Sequence, residues 1–311
     1  MNVASALLDG MYRVSYASGI STFRARLQDA TRILMFHEID GEEYRAEVFE
    51  AQIRYLARRF EIVPISSLLD RDRPRHGSAS RRIVLTFDDG LRNHATTVFP
   101  VLRRRGVPAT FYVCPALIEA GRWLWNHEAR ERLLSLSEGA RAEVGRALGG
   151  PAPPQVEPMV AWMKRLPSAA RAKAEETIRA ASPAFRPSAL QHRKFDIMSW
   201  EELCSLDPGL VTVGSHSLEH PILPVIDPDD AAREILESGR WLEEKLGRPV
   251  EHFCYPDGGR SPAVEQLVRR RYRTAVTTVP GFATPLDDLY NLRRINAAVT
   301  PQHLAWKLHR P

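Results

Sequence analysis

From residue 30 onward the chain alternates short apolar runs with segments of helical periodicity, and that alternation leaves few folds open. Ile33–Phe36 reads as a buried strand, and Phe49, Ile53, Leu56 and Phe60 then recur at the spacing of one helix face. Further strand candidates are Glu61–Pro64, Ile83–Phe87, Ala109–Cys114, Leu210–Gly214, His252–Tyr255, Ala275–Thr278 and Leu292–Asn296. Helical patterns at Ala95–Arg105, Pro228–Leu246 and Ser261–Arg271 lie between them. Strands alternating with helices build a mostly parallel sheet. The expected fold is therefore α/β: a distorted or incomplete (β/α) barrel of seven or eight strands. It occupies residues 31–311, after a helical extension over residues 1–30.

Residues 116–195 break the rhythm, with helical patterns separated by Gly149-Gly150-Pro151 and Pro153-Pro154 and no strong strand. We expect a helical insertion after the fourth strand, covering the barrel mouth. A disordered insert is the alternative, but Trp123, Trp125 and Trp162 are unlike the aromatic-poor composition of disorder.

Bulk properties mainly exclude. The 311 residues bear a formal charge of +5, which would suit an anionic glycan, a lipid surface or nucleic acid, or reflect only an arginine-rich composition. No basic tract with interleaved aromatics marks a nucleic-acid groove. Arg103-Arg104-Arg105 and Arg269-Arg270-Arg271 each fall near a helix end, where cations complement the helix dipole. Three cysteines without CxxC spacing argue against a disulfide framework or a cysteine zinc site. No run reaches the roughly 18 apolar residues of a membrane span. Asp9 interrupts the first apolar run and no basic residue precedes it, unlike a secretory signal, so a cytoplasmic location is expected.

Four segments carry candidate chemistry. Thr86-Phe87-Asp88-Asp89-Gly90 follows Ile83-Val84-Leu85, placing two carboxylates at the end of a strand, where barrel enzymes keep their chemistry. A cation beside them would offset the cost of burying them, and Gly90 would let the chain turn so that both reach one site. Such turns also occur without function. Gly214-Ser215-His216-Ser217-Leu218-Glu219-His220-Pro221 follows another apolar run. Two histidines four apart lie one helical turn apart and can share a metal, or are simply surface residues. With an Asp they make an open triad that leaves room for water. Phe253-Cys254-Tyr255-Pro256-Asp257-Gly258-Gly259 is a third strand-to-turn junction, at which a backbone N–H could hold an oxyanion. His37 directly follows the first strand, and an imidazole there is either structural or a proton carrier.

In this order the motifs resemble those of the polysaccharide deacetylase family, the NodB-homology group also called carbohydrate esterase family four. The resemblance spans about residues 30 to 300 outside the insertion. It implies a hydrolase acting on a non-peptide carbon–nitrogen bond, removing N-acetyl groups from an amino-sugar glycan or its precursor, such as one containing N-acetylglucosamine. It also implies one divalent metal ion. Zinc fits the donor set, as do other divalent transition ions. By the same resemblance Asp88 is the general base, and Asp89, His216 and His220 are the metal ligands. The Tyr255 backbone N–H then belongs to the oxyanion site. Many members carry the acid histidine in a Leu-x-His motif near the C-terminus. None follows residue 280 here, and Leu34-Met35-Phe36-His37 looks like its permuted counterpart, which makes His37 the candidate acid. The third motif lacks the arginine many members have there, and Arg294 is the candidate to orient Asp88, unless it is an ordinary salt-bridge partner. Trp125 and Asp257 are candidate substrate contacts. Two other readings remain open: a hydrolase of ureide-type C–N bonds, and a catalytically silent glycan-binding module.

Overall fold

Eight parallel strands carry the fold: β1 (Arg32–Phe36), β2 (Glu61–Ile62), β3 (Arg82–Phe87), β4 (Ala109–Val113), β5 (Val211–Ser215), β6 (His252–Cys254), β7 (Thr274–Pro280) and β8 (Leu292–Asn296). The computed structural model describes residues 3–39, 41, 44–70, 81–151 and 155–310. Neighbours run β1-β8-β7-β6-β5-β4-β3, and β3 pairs back onto β1 over five residues, from Arg32 opposite Ile83 to Phe36 opposite Phe87. Seven strands thus close a parallel barrel, and β2 hangs on the outside of β3. The expected strand at Glu61–Pro64 shortens to Glu61–Ile62 because Pro64 has no N–H to continue a ladder. All strands point the same way, so their carboxyl ends form one rim.

Alternation along each strand fills two layers. Ile33, Val84, Tyr112, Cys254, Val276 and Leu292 pack together inside the barrel. Leu34, Phe36, Leu85, Phe87 and Phe111 face the surrounding helices. Phe36 stacks on Phe87 at 4.9 Å, and Phe49, from the helix Ala46–Arg59, meets both rings edge-on. Gly214 makes room for Tyr112, since a Cβ there would stand 2.5 Å from the ring.

After β4 the chain leaves the barrel for a series of helices that includes Trp125–Ser135, Glu138–Leu148, Val156–Met163 and Ser168–Ala181. These helices have their own core of Trp125, Leu133, Val144, Met159, Met163 and Ile178. The insertion is therefore a packed helical body. Its return is stitched to the barrel rim, where the Met198 N–H donates to Gly90 O at 3.0 Å. The basic runs at 103–105 and 269–271 occupy the last turns of their helices.

Candidate active site

The Asp88 carboxylate extends the inward-facing row begun by Val84 and Thr86 on β3. Opposite it, Arg294 on β8 turns inward and is fully enclosed. Its Nη1 and Nη2 donate to Asp88 Oδ1 and Oδ2, both at 2.7 Å, in a two-pronged pair. The same guanidinium donates to Thr86 Oγ1 at 3.0 Å, Cys254 Sγ at 3.2 Å and Thr277 O at 2.8 Å. Burial alone would raise the Asp88 pKa, but the charge and hydrogen bonds of Arg294 outweigh it and bring the group down to about 2. Asp88 is thus a fixed anion. The expectation that Arg294 reaches Asp88 matches this geometry.

Asp89 would point away from Asp88 on a regular strand. Its φ of 77° and that of Gly90, 68°, swing the chain through two left-handed residues, and the carboxylate returns to the rim. His216 follows β5 directly. Its Nδ1–H donates to the Cys254 carbonyl at 2.8 Å, which turns Nε2 toward Asp89.

The histidine pair does not lie on a helical turn, contrary to the expectation from its spacing. Residues 216–220 form a loop in which Ser217 and His220 have φ of 64° and 58°, and the rings meet edge-on at 4.6 Å. Three acceptors hold that loop. Glu234 Oε2 takes the N–H groups of Leu218 at 2.8 Å and Glu219 at 3.0 Å, Ser217 Oγ takes that of His220 at 3.0 Å, and Ser215 Oγ takes that of Ser217 at 3.3 Å. Glu234→Ala would leave the buried Leu218 N–H unpaired, at about 1–3 kcal/mol, and release the part-buried Glu219 N–H. We expect the variant to fold less stably and, if the site takes a divalent ion, to bind it roughly 10–100-fold more weakly, as for other lost supports of ligands. A calorimetric metal titration measures this.

The donors of Asp89, His216 and His220 lie within 4.8 Å of one another. Asp89 Oδ1 stands 3.5 Å from His216 Nε2 and 3.6 Å from His220 Nε2. Donors about 2.1 Å from a tetrahedral ion are about 3.4 Å apart, so the residues fit a first-row divalent ion. Burial and the neighbouring His216 push His220 down to about 3, leaving it neutral and ready to ligate. Burial favours a protonated Asp89, yet His216 and His220 reverse this and hold the carboxyl well below its ordinary range. Burial likewise opposes charge on His216, but Cys254, Asp89 and Asp88 raise it well above the ordinary value. A protonated His216 beside Asp89 would take the place of a cation there, so uptake of an ion would compete with protons. A second donor group, Asp88, His216 and Cys254, is equally compact. The Arg294 guanidinium already sits against both Asp88 and Cys254 and would repel an ion there.

His37 reaches the same rim from the end of β1, its Nε2 3.9 Å from Asp88 Oδ2, and stays partly exposed. His94 supports it from a π-helical turn, its Nε2–H donating to the His37 carbonyl at 2.9 Å. Asp257, on the loop after β6, has φ of 54° and pairs with Lys164 of the insertion at 2.6 Å.

Two expectations are corrected. Trp125 is not a substrate surface: it is 5% exposed, and its indole N–H donates to His220 O at 3.1 Å, so it braces the ligand loop. The Tyr255 N–H is not free for an oxyanion, because it donates across the sheet to Val276 O at 3.2 Å. One residue was not anticipated. His127, on the helix Trp125–Ser135, is depressed below its ordinary pKa, first by burial, and lies near enough to Asp89, Glu38 and His37 to feel their charges. Its Nδ1 is buried without a hydrogen-bond partner among the described residues. No motif flanks it, and only the fold of the insertion brings it to the rim.

A sequence model described as polysaccharide deacetylase matches residues 76–160 and 195–275, more than half of the chain and including Asp88, Asp89, His216 and His220. No curated protein sequence matches significantly. Among solved structures, the chain is similar to Streptococcus pyogenes deacetylase PplD in complex with acetate, with TM-score 0.60 and 18% identity over 90% of this chain and 98% of that one. IcaB from Ammonifex degensii aligns with TM-score 0.59 and 19% identity over 90% and 98%. The BpsB deacetylase domain from Bordetella bronchiseptica aligns with TM-score 0.55 and 17% identity over 86% and 95%. At these identities the structures bear on the fold.

Proposed function

The chain belongs to the polysaccharide deacetylase family, hydrolases of non-peptide carbon–nitrogen bonds, and from that premise we propose that it is a metal-dependent enzyme removing N-acetyl groups from an amino-sugar glycan. One observation carries the reading: a carboxylate fixed as an anion by Arg294 stands beside the compact donor set of Asp89, His216 and His220.

The residues divide the work. Asp89, His216 and His220 would hold one divalent ion, zinc fitting best, and such an ion polarises a carbonyl and acidifies water. Asp88 accepts the proton of the water that attacks the acetyl carbon. His37, across the rim, gives its proton to the nitrogen as the C–N bond breaks, so that acetate and a free amine leave. A cleft of about 340 Å³ lined by Met35, Phe36, His37, Glu38, Tyr44 and Lys194 adjoins the acid and can receive the neighbouring sugar. The Tyr255 N–H has no part in this scheme.

Metal content tests the reading directly. Purified protein should hold about one divalent ion per chain, and His216→Ala/His220→Ala should hold almost none, while only the first releases acetate from N-acetylglucosamine oligomers. A wild type that stays metal-free after reloading would overturn the metal centre, and metal without acetate release would favour a glycan-binding module. For the acid, His37→Ala should keep its ion and lose about 10²–10⁴ in turnover. Loss of the ion in that variant would make His37 a ligand instead.

A further inference from the structure

The short helix Ile20–Arg26 is built inside out. Ser21, Thr22 and Ala25 face the protein, whereas Ile20 and Phe23, with Leu27 just beyond, face solvent, the last two 65% and 68% exposed. The hydroxyl side is satisfied inward: Ser21 Oγ meets Ser15 Oγ at 2.7 Å and Thr22 Oγ1 meets Tyr55 Oη at 2.8 Å. The preceding helix, Val3–Ala17, packs through Tyr12, which stacks on His303 at 4.6 Å, and Tyr16, 5.0 Å from Tyr55. Its other stripe, Leu7, Met11 and Val14, is spaced on one face and is exposed, Leu7 and Val14 at 67% each. Most of the exposed large apolar side chains among the described residues fall on these two helices. Scattered exposed leucines are ordinary, but an apolar stripe on each of two adjoining helices marks a surface that something covers.

The surrounding charge indicates what covers it. Arg13 and Arg24 flank the stripes against Asp9 and Asp29, and the end of the adjoining helix Pro301–Lys307 adds Arg310 with no acid. Arg24 and Arg310 lie near enough together for both to act on His309. Apolar side chains rimmed by cations suit the boundary between acyl chains and anionic headgroups. A second copy fits worse, because a two-fold contact through the stripes would set the same arginines against each other. No helix among the described residues is long and apolar enough to cross a membrane.

We propose that the face formed by Leu7, Met11, Val14, Ile20, Phe23 and Leu27 docks on an anionic lipid surface, with Arg13, Arg24 and Arg310 against the headgroups. Arg32, at the start of β1, ties this region to the barrel through the carbonyls of Ala25, Ala30 and Leu308. The short helix therefore sits at the end of the barrel opposite the catalytic rim, and lipid there leaves the rim open.

Co-sedimentation of the full chain with vesicles tests this. Binding is expected to equal parts of phosphatidylglycerol and phosphatidylethanolamine, weaker in high salt, and little to phosphatidylcholine alone. Phe23→Ser/Leu27→Ser should lower the bound-to-free ratio about tenfold or more, and Arg13→Glu/Arg24→Glu should abolish the preference for anionic lipid. Both variants should keep the wild-type rate on soluble oligomers. Failure of the wild type to bind anionic vesicles would overturn the proposal. So would a concentration-dependent dimer that Phe23→Ser/Leu27→Ser turns into monomer, which would give the face to a second copy.

Discussion

Asp88→Asn is expected to keep its metal and lose turnover by about 10²–10⁴, the usual worth of one positioned base. The amide keeps the size and one acceptor but cannot take a proton. The substitution also removes the counter-charge of an Arg294 that has no access to water. Breaking a buried pair from one side costs about 3–5 kcal/mol. The variant should therefore also melt earlier. Inactivity alone would not separate lost chemistry from lost stability, so turnover and metal content should be measured well below the new melting temperature. Near-normal turnover there would remove Asp88 as the base.

Arg294→Met attacks the same pair from the other side and should be the more disruptive to folding, again by about 3–5 kcal/mol near neutral pH. Its pH signature has a definite sign. In the wild type the folded pKa of Asp88, about 2, lies below the ordinary 3.8. The pair's contribution is thus fully present above about pH 4 and is lost as pH falls toward 2. With Arg294 gone, the largest counterweight to burial is lost and Asp88 rises, so the acidic limb of the activity profile should move to higher pH. The double variant Asp88→Asn/Arg294→Met should recover much of the stability, since neither charge is left alone, and recover none of the turnover. Full activity in Arg294→Met with an unmoved acidic limb would show that the pair has no bearing on the chemistry.

The barrel was legible because most strands are compact apolar runs, and every expected run contains a strand. What differed was set by neighbours distant in sequence. The end of the second run failed at Pro64, and its strand joined the outside of the barrel because β1 and β3 pair directly. Asp88, Asp89, His216 and His220 announced themselves by residue type at strand ends. The path between the two histidines did not, because Glu234, Ser215 and Ser217 impose a loop where spacing alone implied a helical turn. Tyr255 fell to the same cause, an N–H whose partner on β7 is invisible in its own motif. Arg294 was readable only as an arginine in a strand, and it is the barrel's closure that sets it against Asp88.

The hydrogen bond from Trp125 to the His220 carbonyl makes the insertion something other than an interchangeable cover. A graft that swapped this helical body for another would withdraw a brace from the candidate ligand His220 along with Lys194, the insertion's side of the cleft. On the proposed function, that contribution to the cleft and the affinity for metal would in that sense be inherited together. A chimaera can exchange the one without losing the other only if the incoming helix brings its own donor to the place of Trp125.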